Sequence, residues 1–181
     1  RRVLFRSKAM IESGYILRPA NPLFIGASLL GALLLNLLPL GNAPWVPDWV
    51  LICIVFWTIY QPRKVGVVWA FCLGLVMDIH SATLLGQHAF MYPIVAYFGI
   101  NWQRRVLGFS RPEQSLHLLP LFLAASIWPL IVQWVSSGEI PFWAWSSLFS
   151  GFIEAALWPA AVWILLAPQR RPTDVDLNRP L

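Results

Sequence analysis

The chain has 181 residues, of which 58% are hydrophobic and only 12% are charged. A soluble domain carries about 25% charged residues, so the composition excludes an ordinary soluble domain and indicates a single-domain membrane protein. The net charge of +5 does not indicate nucleic-acid binding, because the basic residues form short clusters beside apolar segments, where they anchor helices and touch anionic lipid.

The N-terminal segment is basic and has no apolar core. The sequence begins with Arg1, and Met10 offers a natural start, so residues 1–9 are interpreted as an upstream extension that lies outside the gene product. We expect residues 1–21 to form a cytoplasmic segment before the first apolar stretch.

Six apolar stretches follow, and each predicts a transmembrane helix. Their approximate bounds are 22–40, 45–60, 65–78, 87–102, 116–134 and 142–167. The second and fourth are short against the ~20 residues that a perpendicular helix needs, so they lie in a locally thin bilayer, recruit interfacial residues, or are partly re-entrant. The sequence thus predicts an all-α, polytopic bundle of about six spans over residues 22–167, followed by a polar, disordered cytoplasmic tail over residues 168–181.

The positive charges indicate the orientation of this bundle. All 13 Lys and Arg residues fall before the first span, between the second and third, between the fourth and fifth, or in the tail. Positive residues near helix ends favour the cytoplasm, so both termini are predicted to be cytoplasmic, in a bacterial inner membrane.

Polar side chains inside the spans need an explanation. Glu154 lies near the middle of the sixth span, where a charged carboxylate is costly unless it is protonated, paired or facing a polar cavity. It is either an ion, proton or ligand site, or a structural hydrogen bond to another helix. We favour the structural role because no second intramembrane charge offers a relay partner. Asn36 in the first span is another candidate for hydrogen bonding between helices.

Asp78 lies at the end of the third span. We expect it to cap the N-terminus of the fourth helix, where Gly86 and Gln87 begin a new turn. Asp78, His80 and His88 could also be read as metal ligands, but their spacing matches no standard zinc pattern and a fourth ligand is missing. The sequence contains no catalytic motif, so we expect no enzymatic activity, no cofactor and no metal.

Small residues recur every four positions on three spans. The series are Ser147, Gly151 and Ala155 on the sixth span, Ala27 and Gly31 on the first, and Ala70 and Gly74 on the third. This spacing lets helix backbones approach closely, either within the bundle, which is the commoner case, or against a partner's transmembrane helix.

A series of short motifs follows in order from Leu17 to about Leu166. The motifs are Leu17-Arg18-Pro19-Ala20-Asn21-Pro22-Leu23, the run Leu33 to Pro39, Phe56-Trp57 with Gln61-Pro62-Arg63 and Val65-Gly66, Arg104-Arg105-Val106-Leu107, and Trp158-Pro159. The most specific piece is Gly74-Leu75-x-x-Asp78, followed by Leu85-Gly86-Gln87-His88-Ala89. In order and spacing they resemble the MreD family of bacterial rod shape-determining membrane proteins.

This resemblance implies a role and not a reaction. It implies a non-enzymatic adaptor of the elongation machinery, needed for cell shape and lateral peptidoglycan synthesis, with helices arranged as in the substrate-binding subunits of energy-coupling-factor transporters. The implied partners are an MreC-type bitopic protein, an MreB-type actin-like filament, a RodA-type glycosyltransferase with its penicillin-binding transpeptidase, and membrane lipid. Candidate structural or partner-contacting residues are Asn36, Gly74, Asp78, Gly86, Ser147, Gly151, Glu154 and Ala155.

The alternative is a small-molecule binding or transport subunit, with Glu154 and Asp78 lining a cavity. A polar pocket open to the periplasm would favour this alternative. A packed bundle with an exposed groove of small residues would favour the adaptor.

Overall fold

The structure, a computed structural model, describes residues 15–17, 20–38, 46–81 and 84–172. Its six helices are α1 (Pro22–Leu37), α2 (Trp49–Tyr60), α3 (Val67–Ser81), α4 (Gln87–Val106), α5 (Arg111–Ser137) and α6 (Leu148–Leu166). A 3₁₀ segment, Phe142–Ser147, leads into α6, and a second one, Ala167–Gln169, follows it.

Two short strands join the flanks of the helical bundle. β1 (Tyr15–Leu17) pairs with β2 (Arg170–Pro172) in antiparallel register. The sequence predicts helices alone, so this strand pair is a difference between the prediction and the structure. The disordered tail predicted from residue 168 is wrong for residues 168–172, because residues 168–169 belong to the 3₁₀ segment and residues 170–172 pair with β1. The proposed extension, residues 1–9, and residues 173–181 lie outside the described residues.

The helices fall on the six predicted stretches, but several of their ends differ. α2 begins at Trp49 and not near residue 45, because Asp48 caps it and accepts a hydrogen bond from the Leu51 backbone N–H at 3.0 Å. α4 continues to Val106, four residues beyond the predicted end, and its last turn carries Arg104 and Arg105.

α2 is the central helix of the bundle. It packs against α1, α4 and α6, and nine of its 12 residues are buried. The other five helices all carry large apolar side chains on the outer surface, and Val68 on α3 is 75% exposed. Soluble monomers rarely expose so much contiguous apolar surface, so this outer surface is typical of a protein that lipid surrounds.

Two helical segments are long and apolar enough to cross a membrane. They are Arg111–Ser137, with 27 residues, and Ala144–Gln169, with 26 residues. Three other helices, Pro22–Leu37, Trp49–Tyr60 and Val67–Ser81, are apolar but shorter. Length and composition alone therefore mark two membrane-capable segments in the described part of the chain.

Glycines set the closest approaches between neighbouring helices. A Cβ on Gly74 of α3 would lie 2.6 Å from backbone atoms of His88 and Ala89 in α4. A Cβ on Gly151 of α6 would lie 2.7 Å from Ser126 Oγ and 3.1 Å from the Phe122 backbone in α5. The small residues on α3 and α6 thus allow close packing within the bundle.

Candidate functional site

The described charged residues divide the bundle into two unlike ends. At the basic end, where α2 leads to α3, α4 leads to α5 and β2 follows α6, lie Arg63, Lys64, Arg104, Arg105, Arg111, Arg170 and Arg171, with Glu113. At the opposite end, here called the acidic end, lie Asp48, Asp78, Glu139 and Glu154. No Lys or Arg of the described ranges lies at the acidic end, and the basic side chains described there are those of His80 and His88.

Asp78 binds the start of α4 with its whole carboxylate. Oδ2 accepts hydrogen bonds from the backbone N–H groups of Gly86 and Ala89, at 2.8 and 3.1 Å. Oδ1 lies 2.7 Å from the His88 backbone nitrogen, which donates to it, and 2.9 Å from His88 Nδ1. Gly86 has a φ of +105°, which glycine adopts without strain, and turns the chain towards Asp78. This agrees with the capping role expected from the sequence.

The three residues considered as metal ligands do not form a metal site. Asp78 and His88 are in contact, but Asp78 is 1% exposed and occupied by the N-terminus of α4. Within the described ranges, no group of three or more His, Cys, Asp or Glu side chains is arranged to hold a metal ion.

Asp48 connects four helices at the acidic end. Its Oδ1 accepts hydrogen bonds from Asn36 Nδ2 of α1, at 2.7 Å, and from the Leu51 backbone N–H of α2, at 3.0 Å. Its Oδ2 accepts one from the Tyr92 hydroxyl of α4. Its own backbone N–H donates to Glu154 Oε1 of α6 at 3.0 Å. Asp48 is therefore the junction of the polar network.

Asn36 has the expected role between helices. Besides its bond to Asp48, it accepts a hydrogen bond from the Trp49 backbone N–H at 3.0 Å. The C-terminal part of α1 is thereby fixed to the first residue of α2, and one of the N–H groups that a helix start leaves unpaired is satisfied.

Only one of the two carboxylate oxygens of Glu154 has a hydrogen-bond partner among the described residues. Its side chain is 2% exposed, and Oε1 accepts the Asp48 backbone hydrogen bond, which is the structural role we favoured. Oε2 is also buried, and it has no hydrogen-bond partner among the described residues. Since buried carboxylate oxygens are nearly always paired, Oε2 is an exception that the structural role does not explain.

A cavity of about 880 Å³ opens at the acidic end. All six helices or the residues next to them contribute to its wall, and its polar lining includes Asn36, Asp48, His80, Gln133, Ser150 and Glu154. Asp78 is not among the lining residues, because its carboxylate lies under the N-terminus of α4. Of the two acids expected to line a cavity in the alternative reading, Glu154 does so and Asp78 does not.

The small-residue series divide into packed and open ones. Ser147 Oγ donates to the Ser126 carbonyl at 3.3 Å, and Ala155 is buried, like Gly151. On α1, by contrast, Ala27 is exposed, and a Cβ on Gly31 would meet nothing within 4 Å. The open series is therefore the one on α1.

Sequence reasoning missed Asp48 and Tyr92. The predicted second span, residues 45–60, placed Asp48 inside an apolar helix and concealed its capping position. The available signal was an Asp directly before a long apolar run, which is a common start of a helix. Nothing local in the sequence marks Tyr92, which reaches Asp48 only through the packing of α4 on α2.

Comparison with known proteins identifies the family. The sequence profile described as "rod shape-determining protein MreD" matches residues 18–168. The protein named "Rod shape-determining protein MreD" from Haemophilus influenzae (strain ATCC 51907 / DSM 11121 / KW20 / Rd) is 25% identical over 140 residues, which cover 77% of this chain and 83% of that protein. No solved structure matches the chain significantly. Since the profile covers most of the chain, the chain belongs to the MreD family of rod shape-determining proteins.

Proposed function

We propose that this protein is a non-enzymatic membrane adaptor of the complex that elongates rod-shaped cells. In this proposal it crosses the inner membrane six times with both termini in the cytoplasm and supports lateral peptidoglycan synthesis. Its partners are an MreC-type bitopic protein, an MreB-type filament, and a RodA-type glycosyltransferase with its transpeptidase. The family membership carries the proposal, because the family is described as rod shape-determining.

The charge distribution supports the proposed orientation. The described Lys and Arg residues all lie at the basic end, and positive residues near helix ends favour the cytoplasm. The pairing of β1 with β2 brings the flanks of α1 and α6 together at that same end. The acidic end, with its cavity, would then face the periplasm.

Accessibility labelling tests the orientation. Single cysteines at Glu139 and at Arg105, in a chain whose own Cys53 and Cys72 are replaced, would be exposed to a membrane-impermeant maleimide in intact spheroplasts. We expect label at position 139 only, and at position 105 only after lysis. Label at position 105 in intact spheroplasts would contradict the six-span arrangement.

Depletion in the native host tests the cell-shape role. We expect rods to become round and swollen, and the wild-type gene to restore them. Normal rods together with a specific nutrient defect would overturn the adaptor and favour the small-molecule alternative, for which the cavity and the buried Glu154 are the supporting observations.

The open small-residue series on α1 is the observation that supports the proposed binding of a partner helix. Ala27 is exposed beside Gly31, so a second helix could approach closely there. We expect Ala27→Leu to reduce copurification of an MreC-type partner, while the amount of folded protein stays unchanged. Ala160→Leu, the same change at an exposed position of α6, is the matched control. Equal copurification by both variants would exclude α1 as the contact.

A further inference from the structure

The cavity at the acidic end contains two carboxylates in unlike states. Asp48 has both oxygens hydrogen-bonded, to Asn36, Leu51 and Tyr92. Glu154 has one oxygen bonded to the Asp48 backbone, while Oε2 has no partner among the described residues. Glu154 lines the cavity and is 2% exposed. Oε2 is therefore a buried acceptor with no donor among the described residues, on a side chain that lines the cavity.

The surroundings of this acceptor lack positive charge. No described Lys or Arg lines the cavity, and the described Lys and Arg residues are all at the basic end. Two histidines line it: His88 is already engaged by Asp78, and His80 is exposed. Since a buried carboxylate is unfavourable without a paired charge or full hydrogen bonding, a ligand that brought both a positive charge and an N–H donor would satisfy the site.

We propose that this cavity binds a cationic N–H donor, an ammonium or guanidinium group, which donates to Glu154 Oε2. The volume of about 880 Å³ lies within the roughly 300–1,000 Å³ of small-molecule pockets. Leu35, Leu84 and Val132 also line the cavity, and they offer apolar contact to the carbon chain that carries the cation. The assignment goes beyond the cell-shape role, since it concerns what the protein binds at this site.

The ammonium or guanidinium group can come from two sources. The group can belong to a free small amine, or it can be the Lys or Arg side chain of a polypeptide that reaches into the acidic end. Both would make the same charge-assisted hydrogen bond, which is stronger than a neutral one.

The first test uses the full-length protein purified in detergent, with n-butylammonium as the probe and n-butanol as its neutral analogue. We expect saturable binding of the ammonium by calorimetry, with a rise in Tm, and no such effect of the alcohol at equal concentration. Glu154→Gln keeps Oε1 as an acceptor but removes the charge, and it should weaken binding about ten- to hundred-fold. Glu139→Gln, an exposed acid at the same end that does not line the cavity, should bind like the wild type.

Val132→Phe is a second variant, which distinguishes loss of the binding site from misfolding of the Glu154→Gln protein. It leaves every carboxylate intact and fills part of the cavity, so it should also abolish binding. Equal effects of ammonium and alcohol, or undiminished binding by Glu154→Gln or Val132→Phe, would overturn the proposal. So would an absence of ammonium binding to the wild type, as expected if Glu154 is protonated and needs no partner. These outcomes are independent of the shape phenotype, which depletion measures separately.

A photo-crosslinking residue at Leu84 identifies the source in living cells. An adduct to a peptide with Lys or Arg that disappears in Glu154→Gln would assign the cation to a polypeptide. Ammonium binding in vitro without any such adduct would assign it to a free amine.

Discussion

Replacing Gly74 by Ala tests how α3 and α4 hold together. The new Cβ would lie 2.6 Å from backbone atoms of His88 and Ala89, which cannot rotate away as a flexible side chain does. Carbon atoms are in favourable contact at about 3.5–4.0 Å, so the two helices must separate by about 1 Å. Overpacking of this kind destabilises by about 1–3 kcal/mol.

Two further terms bear on the magnitude. Alanine favours a helix over glycine by up to about 1 kcal/mol, which opposes the clash. Asp78 lies one turn further along α3, and weakening its bonds to the start of α4 adds about 0.5–2 kcal/mol of destabilisation. The free energy of unfolding should therefore fall by about 0.5–4 kcal/mol in total.

The assay is reversible unfolding of the purified protein in mixed micelles, followed by circular dichroism. Gly26→Ala on α1 is the matched control, because a Cβ there meets nothing within 4 Å. That variant should be unchanged or more stable by up to about 1 kcal/mol. Equal stability of the two variants would refute the close packing of α3 on α4.

Three more substitutions test the same structure, the first two by the same unfolding assay. Asp78→Asn places an amide N–H group against backbone N–H donors, so the free energy of unfolding should fall by about 1–3 kcal/mol. Backbone amide hydrogens at the start of α4 should also exchange faster with solvent, and an unchanged exchange rate would argue against the cap. Gly86→Ala meets no atom within 4 Å, so a loss of about 1–2 kcal/mol would come from its positive φ alone, and wild-type stability would contradict that conformation. Gly151→Leu would collide with Ser126 and the Phe122 backbone and should lower the level of folded protein. A stable variant that had lost only its partner would instead place Gly151 at an external interface.

Much of the helical arrangement is predictable because apolar stretches and short-range capping are local properties. Asn36 and Asp78 stand out in the sequence as polar residues where apolar ones are expected, and both form the hydrogen bonds that such positions require. The start of α2 could not be predicted from hydropathy, since Val46 and Pro47 continue the apolar composition up to Asp48.

The cavity and the strand pair are beyond sequence reasoning for a different reason. Asp48 and Glu154 are 106 positions apart, and β1 pairs with residues near the other end of the chain. No local pattern records such distances. Glu154 is an example. The sequence left open whether its carboxylate is a ligand site or a structural hydrogen-bond acceptor, and only the packed bundle shows that its two oxygens have different environments.

The shortness of α2 has an electrical consequence. Its 12 residues span about 18 Å, whereas the hydrocarbon layer is about 30 Å thick. If water fills the recess above Asp48 in a spanning bundle, the membrane potential falls mainly across the remaining protein and not across a full bilayer. The field along the central helix would then be about 1.7 times that in the surrounding lipid, and any cation held at Glu154 would lie at the edge of this region.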